Sequence, residues 1–147
     1  MSTIRALVVD DSRVMRNMVM NALKMSRLAT FEFTEASDGA DALTKFDPTK
    51  IDMCFVDWNM PNMNGVEFVK RARAGGTAFH IPMVMVTSEQ TMAKIEEALN
   101  QAGADSYICK PFTPDDMKVK LEKYVNKVLS SKAPADKQGG FFSGLLS

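Results

Sequence analysis

Two short runs, residues 51–56 and 81–86, do most to restrict the folds open to this chain. Both are rich in large apolar side chains and neither alternates with polar ones. That pattern marks a strand covered on both faces, and strands of this kind belong to parallel sheets flanked by helices. Both runs also stop on a polar residue, Asp57 in the first case and Thr87 in the second. Two further runs behave alike: Ala6-Leu7-Val8-Val9 ends on Asp10 and Asp11, and Tyr107-Ile108-Cys109 ends on Lys110.

Helices fill the spaces between them. After residues 4–9, Ser12 is placed to cap a helix whose Val14, Met15, Met18, Val19, Ala22 and Leu23 recur at helical spacing up to about Met25. Residues 31–36 alternate, with Phe31 and Phe33 on one side, as suits an edge strand. A brief helix is expected over 40–46, stopped by Asp47-Pro48. Val66, Val69 and Ala72 give a helix ended by Gly75-Gly76. One continuous helix is expected over 88–102, with Met92, Ile95, Ala98, Leu99 and Ala102 inward. After a last strand at 106–109, Thr113-Pro114-Asp115-Asp116 opens a helix with Met117, Leu121, Tyr124, Val125 and Leu129 inward. Strand and helix alternate five times, which predicts an α/β fold with a parallel sheet and helices on both faces.

The expected domain covers residues 1–129. Residues 130–147 read as a polar linker and then an apolar tail carrying Phe141, Phe142, Leu145 and Leu146. A frayed tail and a short docking segment both fit it. With 18 basic and 18 acidic residues the formal net charge is +0, so no nucleic-acid partner shows in the composition. No stretch is long and apolar enough for a membrane span, and the polar start is no signal peptide; a cytoplasmic protein without membrane contact is expected. Cys54 and Cys109 lie inside apolar runs and read as small hydrophobes in a reducing compartment. His80 has no metal-ligand partner at useful spacing and sits at a strand entrance.

In open parallel sheets the reactive crevice lies beyond the carboxyl ends of the strands, where strand order reverses. A strand order of 2-1-3-4-5 sets the first and third strands side by side, so Asp10, Asp11 and Asp57 converge. Thr87 and Lys110 then flank Asp57 from the other side. Like charges raise one another's pKa, so three carboxylates need compensation. Lys110 offsets one charge, and an all-oxygen donor set suits Mg2+. Metal, ammonium and hydroxyl around a carboxylate suit phosphoryl transfer, with the carboxylate as acceptor. Each residue also has an ordinary reading. The Asp pair can be a helix cap, Asp57 a turn former, Thr87 a strand end and Lys110 a solvated lysine before proline.

Asp10-Asp11-Ser12, Asp57 with Met60-Pro61 and Gly65, Thr87-Ser88 and Lys110-Pro111-Phe112 together resemble the receiver domain of two-component response regulators. The resemblance covers about residues 4–129, and the stretch from Asp57 to Gly65 is especially similar to stand-alone chemotaxis receivers. It implies a flavodoxin-like doubly wound fold and a chain that catalyses only its own phosphorylation and dephosphorylation. Asp57 would take a phosphoryl group from a histidine kinase of the CheA-like kind. Asp11, Asp57 and the Asn59 backbone carbonyl would bind Mg2+, with Asp10 acting through a metal-bound water. Thr87 and Lys110 would contact the phosphoryl oxygens, and Tyr107 would be the aromatic switch. Asn59 and Glu89 would tune dephosphorylation. The Lys110-Pro111 bond would be cis. The implied partners are a flagellar motor switch protein or another output target, and a phosphatase; a monomer is expected. The reporting surface would run from Glu89 to Leu99 and take in Tyr107 and the last helix.

Other functions remain in view at this level. A phosphorelay shuttle or phosphate sink would use the same residues. An aspartate-nucleophile phosphatase would need a general acid where Asn59 stands. A flavin-binding module would need a first loop richer in glycine or hydroxyls than Asp10-Asp11-Ser12-Arg13.

Overall fold

The computed structural model describes residues 3–76 and 78–132. The expected apolar tail lies outside the described residues. Five strands form one parallel sheet in the order β2-β1-β3-β4-β5: β1 (Thr3–Val9), β2 (Thr30–Ala36), β3 (Met53–Val56), β4 (Met83–Thr87) and β5 (Ser106–Cys109). The expected fold class and strand order are therefore observed. Helices α1 (Arg13–Ser26) and α5 (Pro114–Ser131) cover one face; α2 (Gly39–Lys45), α3 (Gly65–Arg73) and α4 (Met92–Glu96) cover the other. Helix α5 runs past residue 129.

The non-alternating runs are buried on both sides, as the pattern requires. Every residue of β3 and β4 is buried. Edge strand β2 has one buried residue, Ala36, and its Phe31 and Phe33 rings stack at 5.8 Å over the α1 side of the core. Capping follows the sequence. Ser12 Oγ accepts from the Met15 amide at 3.2 Å, and Thr113 with Asp116 closes a reciprocal capping box at the start of α5. The thiols of Cys54 and Cys109 are free, the first buried and the second half-buried.

Two helices depart from expectation. In α1 the apolar positions divide into two stripes. Val19, Ala22 and Leu23 are buried, while Val14 and Met18 are exposed along with Met25. These three fall on one side of the helix, turned away from the sheet. The second departure is the helix expected over 88–102, which starts only at Met92 and becomes π-helical over Glu97–Ala102. Thr91 takes the Lys94 amide as a cap, and the Tyr107 hydroxyl occupies the Glu89 carbonyl, so residues before 91 are held as a loop. No residue of α4 is buried, and Met92 is 80% exposed rather than inward. Burial begins at Ala98 and ends at Ala102, because the wider π turn changes the phase of the inward face. In α5 Val128 is buried, whereas Tyr124 is half-buried and donates its hydroxyl to the Asp105 carbonyl at 2.8 Å.

The loop between β3 and α3 is seated by close backbone approaches. The Gly65 amide donates to the Trp58 carbonyl at 2.9 Å, and a Cβ at Gly65 would come within 1.9 Å of the Asp57 carbonyl oxygen. The Gly39 amide donates to Met63 at 2.9 Å across the same loop. Gly65→Ala is therefore expected to cost about 1–3 kcal/mol, the usual range for forcing atoms into a packed site. Urea unfolding followed by circular dichroism checks it, with a lower midpoint and an unchanged slope.

Candidate functional site: an acidic cleft at the carboxyl edge of the sheet

The ladder hydrogen bonds carry four side chains of three chemical kinds to one edge. The Asp57 amide donates to the Val9 carbonyl at 2.9 Å, and the Asp10 amide to Ala36 at 3.1 Å. The Lys110 amide donates to Thr87 at 2.9 Å, just past the Thr87–Cys109 pairing of β4 with β5. Asp10, Asp57, Thr87 and Lys110 thus follow directly from register. Asp11 follows from its place beside Asp10.

One carboxylate oxygen from each of Asp10, Asp11 and Asp57 lies within 4.8 Å of the other two. Asp10 and Asp57 are buried and Asp11 is exposed, so the cluster opens on one side. Lys110 Nζ stands 2.9 Å from Asp10 and 3.6 Å from Asp57. The other Asp10 oxygen accepts the Ser12 amide at 2.9 Å. Burial pushes the Asp57 carboxyl above its ordinary pKa, and the charge of Asp10 adds to this; Lys110, the Thr87 hydroxyl and the Trp58 amide act in the opposite sense. The donors are carboxylate oxygens alone, and they offer room to a hard divalent cation of the Mg2+ type.

The other expected residues lie around this cluster. Thr87 is fully buried, and its hydroxyl is 3.4 Å from the Glu89 amide. Tyr107 is 6% exposed with its hydroxyl on the Glu89 carbonyl, so its ring is packed inward. Burial raises its phenol pKa to about 12. Asn59 Nδ2 donates to Glu89 Oε2 at 2.6 Å, which joins the two loops on either side of the carboxylates. The Lys110-Pro111 peptide is cis.

Some supporting residues were not visible in the sequence. Arg16 Nη1 donates to the Asp10 carbonyl at 2.7 Å while its Nε pairs with Glu35 at 2.8 Å, which ties the first acidic loop to β2. Asn62, with φ of 67°, reaches Asp38 at 2.7 Å and fastens the loop after Asp57 to the start of α2. The Lys94 ammonium lies 4.7 Å from the centre of the Trp58 ring. An asparagine in a turn is the nearest thing to a local signal among these. The arginine and lysine contacts depend on which elements become neighbours.

A family model, the response regulator receiver domain, matches residues 6–122. The chain belongs to the response regulator receiver family. Among curated proteins it is 45% identical over 121 residues to chemotaxis protein CheY1 of Helicobacter pylori strain J99, covering 80% of this chain and 94% of that one. It is also 45% identical over 121 residues to a chemotaxis protein CheY homolog of Campylobacter jejuni, covering 80% and 89%. Among solved structures, a CheY-like receiver domain protein from Methanospirillum hungatei superposes with a TM-score of 0.74 at 25% identity, over 88% of this chain and 99% of that one. Chemotaxis protein CheY4 of Vibrio cholerae gives 0.70 at 33% identity, over 86% and 99%. No helix among the described residues is long and apolar enough to cross a membrane.

The raised pKa of Asp57 fixes the sign of a stability effect. A carboxyl whose folded pKa lies above its unfolded value favours the fold most below the unfolded value. That contribution is lost as pH rises through the folded value. At neutral pH the ionised Asp57 therefore opposes folding. Without divalent cations, Asp57→Asn is expected to be more stable than wild type at pH 7, with the gap closing as pH falls into the carboxylate range. Denaturant midpoints across pH measure this.

Proposed function

We propose that this chain is a phosphorylation-driven signalling switch of the chemotaxis type, with Asp57 as phosphoryl acceptor. The observation that carries the reading is the set of three carboxylates within 4.8 Å, faced by Lys110 and Thr87. The chemotaxis assignment draws on the names of the relatives that align over most of their own length. The proposed site is cytoplasmic, with a CheA-like histidine kinase as donor and a flagellar motor switch protein as output target.

Asp10, Asp11, Asp57 and the Asn59 carbonyl would hold Mg2+, which when bound neutralises charge on the transferred phosphoryl group. An Asp57 oxygen attacks phosphorus, the bond to the donor's imidazole nitrogen breaks, and that nitrogen keeps the electron pair. Lys110 moves from its Asp10 contact toward the phosphoryl oxygens, which outbid a single carboxylate in charge. Asn59 and Glu89, joined above the carboxylates, limit the approach of hydrolytic water.

The new group adds nearly two negative charges and three acceptors. Thr87 is the neighbouring hydroxyl donor, and its move toward them pulls on the loop after β4. Glu89 in that loop meets the Thr87 hydroxyl through its amide and the Tyr107 hydroxyl through its carbonyl. Phosphorylation thereby biases the packing of α4 and Tyr107, the surface offered to the target.

The test is acetyl phosphate with Mg2+ followed by intact mass. Wild type is expected to gain one phosphoryl mass and Asp57→Ala none. An unmodified wild type contradicts the reading, and equal labelling of both moves the acceptor elsewhere.

A further inference from the structure

The proposed function leaves Phe141, Phe142, Leu145 and Leu146 without a role. Among the described residues, a groove beside α5 is suited to them. Tyr107, Ile108 and Cys109 of β5, with Asp116, Val119 and Lys120 of α5, line a cavity of about 330 Å³ whose walls are more apolar than polar. Val119 stands at its rim 80% exposed, although it lies on a helix whose inner face is well packed. A second cavity of about 500 Å³ shares Val119 and Lys120 and extends along α5 to Lys123. The two make a continuous track beside α5, apolar at the end nearer the acidic cleft.

We propose that residues 139–147 dock in this groove on the same chain and cover the β5–α5 face. Chain length supports this occupant. From Val119 to Ser131 the helix covers about 18 Å. Residues 132–140 form a nine-residue connector. A flexible stretch of nine residues spans about 16 Å root-mean-square and at most about 30 Å when fully extended. Phe141 therefore returns to Val119 with α5 intact. A connector whose reach matches the span holds its tail at an effective concentration on the order of millimolar. A separate partner at micromolar concentration has no such advantage, so even weak docking is populated in cis. A phenylalanine brings roughly 150–250 Å² of surface to such a groove.

The consequence for signalling rests on the proposed function. Tyr107 lies in the groove, so a docked tail and an output target exclude one another, and the switch must displace its own tail before it can report. The docking itself does not depend on phosphorylation.

Cys109 supplies a native probe, since it lines the groove and is half-buried while Cys54 is fully buried. The full chain is treated with iodoacetamide, and alkylation is followed peptide by peptide. The expected result is that Cys109 reacts at least about twofold faster in Phe141→Ser/Phe142→Ser than in wild type. Leu145→Ser/Leu146→Ser is expected to shift it in the same direction. Cys54 should stay unreactive in every chain, which reports an intact fold. Equal Cys109 rates in all three chains overturn the proposal. A wild-type rate that falls as protein concentration rises also overturns it, because the groove would then hold the tail of a second copy. No arm requires phosphorylation, so a failure to label Asp57 is distinguishable from a failure of docking.

Discussion

Asp10, Asp11 and Asp57 bring three negative charges to one small space, and among the described residues Lys110 is the ammonium that reaches them. The charges do not balance: one positive against three negative leaves an excess of two. Burial makes the excess costlier, which is why the Asp57 carboxyl lies above its ordinary pKa. A divalent cation would remove the excess, and under the proposed function a phosphoryl group on Asp57 would renew it. The site is thus sensitive to both, and Lys110 can serve either carboxylate or phosphoryl oxygens as the charge moves.

The scaffold around this cluster is arranged to keep it from relaxing. Ladder bonds from β1 and β3 set Asp10 and Asp57 side by side, and a parallel register leaves their side chains at one edge. Arg16 holds the Asp10 backbone, Asn62 and Gly65 hold the loop after Asp57, and Glu89 spans from Asn59 to Tyr107. These contacts differ in chemistry but have one effect: the carboxylates cannot move apart to lower their repulsion. Helix α4 has no fully buried residue over Met92–Glu96, only Ile95 half-buried against the core, and it then widens into a π turn. Lys94 on Trp58 links that helix to the loop that follows β3.

What the sequence made legible is what local pattern encodes. Continuous apolar runs gave β3 and β4 as buried strands, alternation gave β2 as an edge, and Ser12 and Thr113 marked helix starts. The strand order 2-1-3-4-5 was not dictated by these local patterns; taken as that of a doubly wound sheet, it carried with it the meeting of Asp10, Asp11, Asp57, Thr87 and Lys110. Periodicity misled where a helix had more apolar residues than its inner face could take, as at Val14 and Met18, or where the helix changed pitch, as before Ala98. Met92 was misplaced for a separate reason: the helix starts there, since Thr91 and the Tyr107–Glu89 contact keep the preceding residues out of it. Arg16 and Lys94 could not be assigned to the site, because their partners lie on other elements and are chosen by packing.

Three carboxylates with one ammonium among them leave a cation site electrostatically incomplete. Isothermal titration of Mg2+ into the full chain tests it most directly, with Asp57→Asn and Asp115→Asn beside wild type. The account predicts saturable one-to-one binding in wild type and in Asp115→Asn, whose carboxylate serves the start of α5, and strong loss of binding in Asp57→Asn. No saturable binding to wild type, or equal binding to all three chains, would contradict it.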